Sequence, residues 1–457
     1  MPAPRRRRWS CGLLLCSVVL AACTSPGEEG GAPTTTTTTT AAAVRCPDGS
    51  EVPDAAPTSA AVELDATPAG PEPRDGALDI GTLLPRSGDL AFLGAAALAG
   101  VELAVADLTD AGGVLGAAVG LRHGDSAEGS PGVAEGEAER LLGAGVDVLI
   151  GPLASGTTAR VLPLVAGADA VLVSPASASS GLDALDRDGR LFRTGPDEAL
   201  QGFALADLLV ADGLRTISIA ARADEYGSVI AGALTERFAA SGGEVRSRVD
   251  YDPAADAIGP DVVDELDITA DGIVLVGLAE TALVVDALVS DGHGPGERGV
   301  YGTDGNLGER LGDLVQDRAE LACMRGLLPI TQPDDAFAER VRSHDPVLAD
   351  LEGAGLDLAA EAYDAVVLAA LAAETAGSDS GAAIGAGMGP VSADGTRCAD
   401  AATCLEVLGA GDDLAYVGQS GPAALDEDGN RSAAGFTIVA FDGDGHLARL
   451  GTLQARR

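Results

Sequence analysis

Hydroxyl-bearing residues gather at two places where apolar runs give way to glycine and proline. Gly151-Pro152-Leu153-Ala154-Ser155-Gly156-Thr157-Thr158 follows Val146-Asp147-Val148-Leu149-Ile150 and opens an amphipathic stretch. Ser174-Pro175-Ala176-Ser177-Ala178-Ser179 follows Val171-Leu172-Val173 in the same way. A hydroxyl beside the unpaired N–H groups of a helix N-terminus suits an anion, because those donors and the helix dipole both favour negative charge. The plainer use of Ser155 is to cap that helix. Two more loops carry different chemistry: Asp224-Glu225-Tyr226-Gly227 and Tyr301-Gly302-Thr303-Asp304-Gly305. A carboxylate such as Asp304 needs a cationic partner if a closed cleft buries it. In an open Asp-Gly turn it needs only water.

Other constellations fail on context. His123-Gly124-Asp125-Ser126 has the residue types of acyl transfer, but sequence neighbours do not make a triad, and no G-x-S-x-G accompanies them. Gly294-Pro295-Gly296-Glu297-Arg298-Gly299 fits G-x-G-x-x-G yet precedes a strand, where dinucleotide binding needs the reverse order. Asp426-Glu427-Asp428-Gly429 lacks the late glutamate of a calcium loop. The 4 histidines are scattered and no Cys-x-x-Cys occurs, so no metal site is expected. With no catalytic set and no cofactor site, the expectation is a binding protein and not an enzyme.

The elements that must position these loops alternate. Asp79-Ile80-Gly81-Thr82-Leu83-Leu84 reads as a strand, and Phe92 to Asp110 as a helix ending at Gly112-Gly113. The rhythm runs on through Thr216-Ile217-Ser218-Ile219 and Ile273-Val274-Leu275-Val276. Strands alternating with helices predict parallel sheets covered on both faces. Ligands of such sheets bind beyond the carboxyl ends of the strands, where the loops above lie.

The N-terminus carries an address. Arg5 to Arg8 precede a short apolar run, and Leu20-Ala21-Ala22-Cys23 follows, a secretory signal whose cleavage site resembles the bacterial lipobox. Cleavage before Cys23 and lipid on its sulfur would hold the protein on a membrane surface outside the cytoplasm. Loss of the four signal arginines takes the charge four units further below −41. All 29 basic residues are arginine, and such an acidic surface excludes nucleic acid as a partner. Residues 24–76 are rich in Thr, Pro, Ala and Gly, with Thr34 to Thr40 unbroken, a composition that cannot bury a core. Four cysteines remain beyond the anchor. An even number in an oxidising compartment suggests two disulfides, with three connectivities open. The closeness of Cys398 and Cys404 favours their pairing, which leaves Cys46 for Cys323.

The four strand-end loops, with Leu84-Pro85-Arg86-Ser87-Gly88 before them and Gly418-Gln419-Ser420-Gly421 through Gly429 after, resemble the leucine/isoleucine/valine-binding family of periplasmic proteins. The resemblance runs from about 77 to 453. It implies a type I periplasmic-binding fold of the α/β class, two doubly wound lobes joined by a hinge of three crossovers near 196, 326 and 420. The segments expected are a signal peptide at 1–22, a tether at 23–76, lobe one at 77–196 and 327–420, and lobe two at 197–326 and 421–457. It implies that Ser155, with Gly156 and Thr157, grips an amino-acid carboxylate together with Ala176, Ser177 and Ala178. The family's second-loop hydroxyl falls here on Ala178, a departure that Ser177 or Ser179 could offset. Tyr226 and Leu278 would line the pocket from lobe two, and Asp304 would pair with the ligand's ammonium. Leu278 and Leu93 replace aromatic residues often found there, which makes the pocket more aliphatic. The function implied is a monomeric solute-binding lipoprotein that captures an amino acid, of the branched-chain kind or another, for an ABC permease. Alternatives are a short amide, urea, an aromatic or other small organic acid, or a surface sensor without transport.

Overall fold

The computed structural model describes residues 44–45, 51–52 and 76–457, except 89, 129, 131, 187, 256, 331, 332, 346, 347 and 349–354. Cys23, Cys46 and most of the tether lie outside the described residues. Two sheets organise the chain, each fed by alternating strands and helices.

The first sheet holds β1 (Asp79–Leu84), β2 (Gly120–Asp125), β3 (Val148–Ile150), β4 (Val171–Ser174) and β5 (Leu191–Arg193) in the order β2-β1-β3-β4-β5, all parallel. Its central strands are continuous apolar runs, buried on both faces as parallel strands must be. Between them lie α1 (Ala91–Asp110), α2 (Val133–Gly143), α3 (Ser155–Gly167) and the short α4 (Gly181–Leu185).

The chain then passes to a second body. It begins with α5 (Glu198–Ala211), whose first turn is capped by Asp197 accepting from Leu200 N–H at 2.9 Å. Next come β6 (Thr216–Arg222), α6 (Glu225–Ala240), β7 (Glu244–Tyr251), α7 (Ile258–Glu265), β8 (Gly272–Val276), α8 (Thr281–Ser290), β9 (Gly299–Gly302), α9 (Glu309–Leu314) and β10 (Arg325–Pro329). After Pro329 the chain returns to the first body as α10 (Asp335–His344), α11 (Ala359–Ala376), α12 (Gly381–Met388), β11 (Thr396–Cys398), α13 (Ala401–Gly409), β12 (Leu414–Gly418) and β13 (Gly421–Pro422). It crosses back a last time to add β14 (Ala433–Phe441) and β15 (Leu447–Arg456) antiparallel at one edge. The second sheet therefore reads β15-β14-β10-β9-β8-β6-β7.

The largest core cluster joins β1, β3 and β4 to α1 and α11. α1 is apolar enough on average to pass for a membrane span, yet its Leu98, Val101 and Leu108 are buried in this core. Helices α1 and α11 touch at Gly100, where a Cβ would stand 2.0 Å from the Ala359 carbonyl oxygen. Cys398 and Cys404 form a disulfide with an S–S distance of 2.09 Å. Cys323 is also disulfide-bonded.

The passages between the bodies are stitched by one buried pair of charges. Asp364, on α11, accepts from Tyr416 Oη at 2.6 Å, Gln419 N–H at 2.8 Å, and Ser420 N–H and Oγ at 2.9 and 2.6 Å. Arg431, 3 % exposed, donates to the Thr194 carbonyl at 2.7 Å and to Ser420 Oγ at 3.0 Å. Thr194 in turn donates its hydroxyl to the Glu361 carbonyl at 2.8 Å. The first and third passages are thus tied directly to each other.

Candidate ligand-binding cleft

The two strand-end loops expected to hold an anion spend most of their hydroxyls on each other. Ser177 Oγ lies 2.7 Å from Thr158 Oγ1 and donates to backbone carbonyls of the preceding loop. Thr157 donates to Glu128 Oε2 at 2.5 Å, and the same carboxylate accepts from the N–H groups of Leu153 and Ala154. Ser155 Oγ accepts from Ser179 N–H at 3.2 Å. An internal carboxylate therefore already occupies part of the positive end of α3.

Tyr226 and Asp304 meet on the second body. Tyr226, in the first turn of α6, donates its hydroxyl to Asp304 Oδ1 at 2.7 Å and accepts from Gly305 N–H at 3.1 Å. Gly305 fits there because a Cβ would sit 2.7 Å from that phenol oxygen and 2.5 Å from Leu278. Burial, and then the Asp304 charge, push the Tyr226 phenol well above its ordinary range.

A cavity of about 350 Å³ lies between the bodies. Leu93, Ala176 and Ala178 line it from the first body, and Tyr226 and Asp304 from the second. Leu328, Leu358 and Phe436 add apolar lining. Ser155, Gly156, Thr157, Ser177 and Leu278 do not line it. Leu278 packs at Gly305 and remains 39 % exposed. The two sides also touch beside the cavity. Glu225, next to Tyr226, accepts from Ser179 Oγ at 2.6 Å and from Gly181 N–H.

Several lining residues escaped the sequence reading: Asp197, Glu198, Gln201, Asp357 and Arg449. Asp197 is ion-paired with Arg457. Glu198 receives Ser180 N–H, but its Oε2 has no hydrogen-bond partner. Gln201, one turn on, has its Nε2 equally without a partner. Glu198 is 9 % exposed and Gln201 3 %. Burial, with the charges of Glu225 and Asp304 and against that of Arg193, pushes the Glu198 carboxyl up to about 7. Among the described residues no group of side chains is arranged to hold a metal ion.

Cleft, parallel sheets and three passages coincide with a known pattern: the family model for periplasmic binding proteins matches residues 77–403. The chain belongs to this family. Its members are solute-binding proteins that act outside the cytoplasm with ABC permeases. The fold is the type I periplasmic-binding fold, as the leucine/isoleucine/valine-binding resemblance implied. A chemotactic signal transduction substrate-binding protein, BasB of Halobacterium salinarum, is 25 % identical over 377 residues, 76 % of this chain and 83 % of that one. A Leu/Ile/Val-binding protein homologue of Brucella abortus is 34 % identical over 176 residues, covering 35 % of this chain and 42 % of its own. Among solved structures, the branched-chain amino acid binding protein LivJ of Streptococcus pneumoniae, in complex with isoleucine, superposes with a TM-score of 0.56 at 20 % identity. That match covers 82 % of this periplasmic binding protein and 99 % of LivJ. A solute-binding protein of Rhodopseudomonas palustris HaA2 in complex with p-hydroxybenzoic acid reaches 0.60 at 18 % identity, covering 83 % and 98 %.

Proposed function

We propose that the chain is an extracytoplasmic lipoprotein, anchored through Cys23, that captures an amino acid between its two bodies and delivers it to an ABC permease. The observation that carries this is the Tyr226–Asp304 pair facing Ala176 and Ala178 across one cavity. Asp304 would hold the ligand's ammonium, with Tyr226 orienting the carboxylate. Ala176 and Ala178 would offer backbone groups to the ligand's carboxylate, with Ser155 and Ser177 bracing their loops. An open form exposes the cleft, and a ligand that contacts both sides stabilises the closed one, since a ligand shifts an equilibrium by its differential affinity. A micromolar dissociation constant needs only about −8 kcal/mol. The likeness to BasB favours a second reading, a ligand sensor without transport, with the same cleft chemistry.

Calorimetric titration with the twenty amino acids, urea, acetamide and benzoate tests the ligand class. Asp304→Asn is expected to weaken binding of the preferred amino acid by about tenfold or more, as loss of one partner of a desolvated charge pair does. Unchanged affinity would remove Asp304 from the site.

A further inference from the structure

Glu128 follows β2 and brings its carboxylate to the start of α3, where it is 2 % exposed. Both of its oxygens are used. Oε1 accepts from the N–H groups of Leu153 and Ala154 at 3.1 and 3.3 Å, and Oε2 from the Thr157 hydroxyl at 2.5 Å. Two N–H groups and a hydroxyl at a helix start are the donors a free carboxylate would take there. An ionised side chain accepts from all three. The Glu128 backbone fixes this reach. It bridges to Gly88, whose φ is 84° and where a Cβ would stand 2.1 Å from the Glu128 carbonyl oxygen.

A short relay leads from Glu128 to the cavity. Ser177 Oγ lies 3.2 and 3.4 Å from the carbonyl oxygens of Leu153 and Pro152, and 2.7 Å from the hydroxyl of Thr158, next to Thr157. Ser174 Oγ donates to the Pro152 carbonyl at 2.6 Å and accepts from Ser177 N–H at 2.9 Å. Ser177 is 2 % exposed, and its neighbours on either side, Ala176 and Ala178, line the cavity. Glu128 does not line it. The second loop is thus held by the first, and the first by Glu128.

We propose that Glu128 is a built-in occupant of the anion seat at the start of α3. It positions both cleft loops, and of the two it leaves only the second, at Ala176 and Ala178, for a ligand's carboxylate. It is a positioning residue and touches no ligand. The seat stands independently of what the cavity binds, whereas the effect on binding rests on the reading of the cavity as the ligand site.

The test is Glu128→Ala in the full chain, with sodium formate set against sodium chloride at equal concentration. In chloride the variant should unfold at a lower temperature and exchange the N–H groups of residues 176–179 about tenfold faster, because Leu153, Ala154 and Thr157 lose their acceptor. Formate fits the vacated seat and should reverse about half of both changes, saturably, since binding to the native state raises its stability. The wild type should respond to formate no more than to chloride. Formate that acts on both proteins alike, or on neither, overturns the inference. If the alanine variant folds in neither salt, Glu128→Gln carries the test. It keeps the shape but loses the charge that strengthens the three bonds, so exchange at 176–179 should quicken about threefold; unchanged exchange overturns the inference. Leucine affinity should fall about tenfold in the alanine variant in chloride, the weight of one hydrogen bond, and return in formate. Leucine held equally tightly by wild type and variant overturns the positioning role. Leucine that binds neither counts against the amino-acid reading and leaves the seat to the two ligand-free measurements.

Discussion

Asp364 and Glu198 are both buried acids beside the passages between the two bodies, and they are treated oppositely. Asp364 accepts four hydrogen bonds within its own body and has Arg431 nearby. Glu198 accepts Ser180 N–H and leaves one oxygen without a partner. Burial raises the carboxyl of each, but at Asp364 the Ser420 and Tyr416 hydroxyls pull the other way. At Glu198 the neighbours Glu225 and Asp304 push it further up. A fully satisfied buried acid holds structure together; Glu198, half-satisfied and set between Arg193 and two acids, costs stability when ionised.

The comparison breaks most sharply at Asp364. Asp364→Ala strips two hydroxyls and two N–H groups of their acceptor and leaves Arg431 buried. Removal of one member of a buried charge network costs about 3–5 kcal/mol, readable as a lower midpoint in denaturant. A loss below about 1 kcal/mol would mean that the network is not a stitch. Glu198→Gln should act in the opposite direction. Its folded pKa, about 7, lies above the ordinary carboxylate value of 4.5, so below pH 4.5 the carboxyl is neutral in both states and costs nothing. As the pH rises from 4.5 to 7 the unfolded chain ionises first, and folding stability is lost across that window. The variant is therefore expected to gain about 2 kcal/mol over the wild type at pH 8 without ligand, and nothing at pH 4. Equal stability at both pH values would place Glu198 on the Asp364 side of the comparison. The smallest effect is that of Tyr226→Phe, which removes the donor to Asp304 but keeps the ring. About 1 kcal/mol of thermal stability should go, with a larger loss in amino-acid affinity.

The fold was legible because parallel strands announce themselves as buried apolar runs, and Val148–Ile150 and Val171–Ser174 are such runs. The strand-end rule pointed to the loops, and of the residues the family resemblance implied there, Ala176, Ala178, Tyr226 and Asp304 line the cavity. Ser155, Thr157 and Ser177 stand outside the cavity lining, since a hydroxyl in a loop does not show which partner it has. Here Glu128, Thr158 and Ser179 took them. Glu198 and Gln201 were missed because acidic residues after an N-cap such as Asp197 are what any helix start displays. The available signal was a polar pair spaced three apart in the first turns of a helix otherwise mostly apolar.

The Arg431 tie has a mechanical consequence. It joins the first and third passages into one strap, while the strand leaving β10 runs separately. A strap and a single strand give two lines of attachment, and two lines of attachment define an axis. Rotation about that axis bends only a few backbone torsions, whereas twisting across it must pull Arg431 from the Thr194 carbonyl. In the opening and closing proposed above, the molecule would swing like a door on a pin, and a ligand in the cleft would have one direction in which to move it.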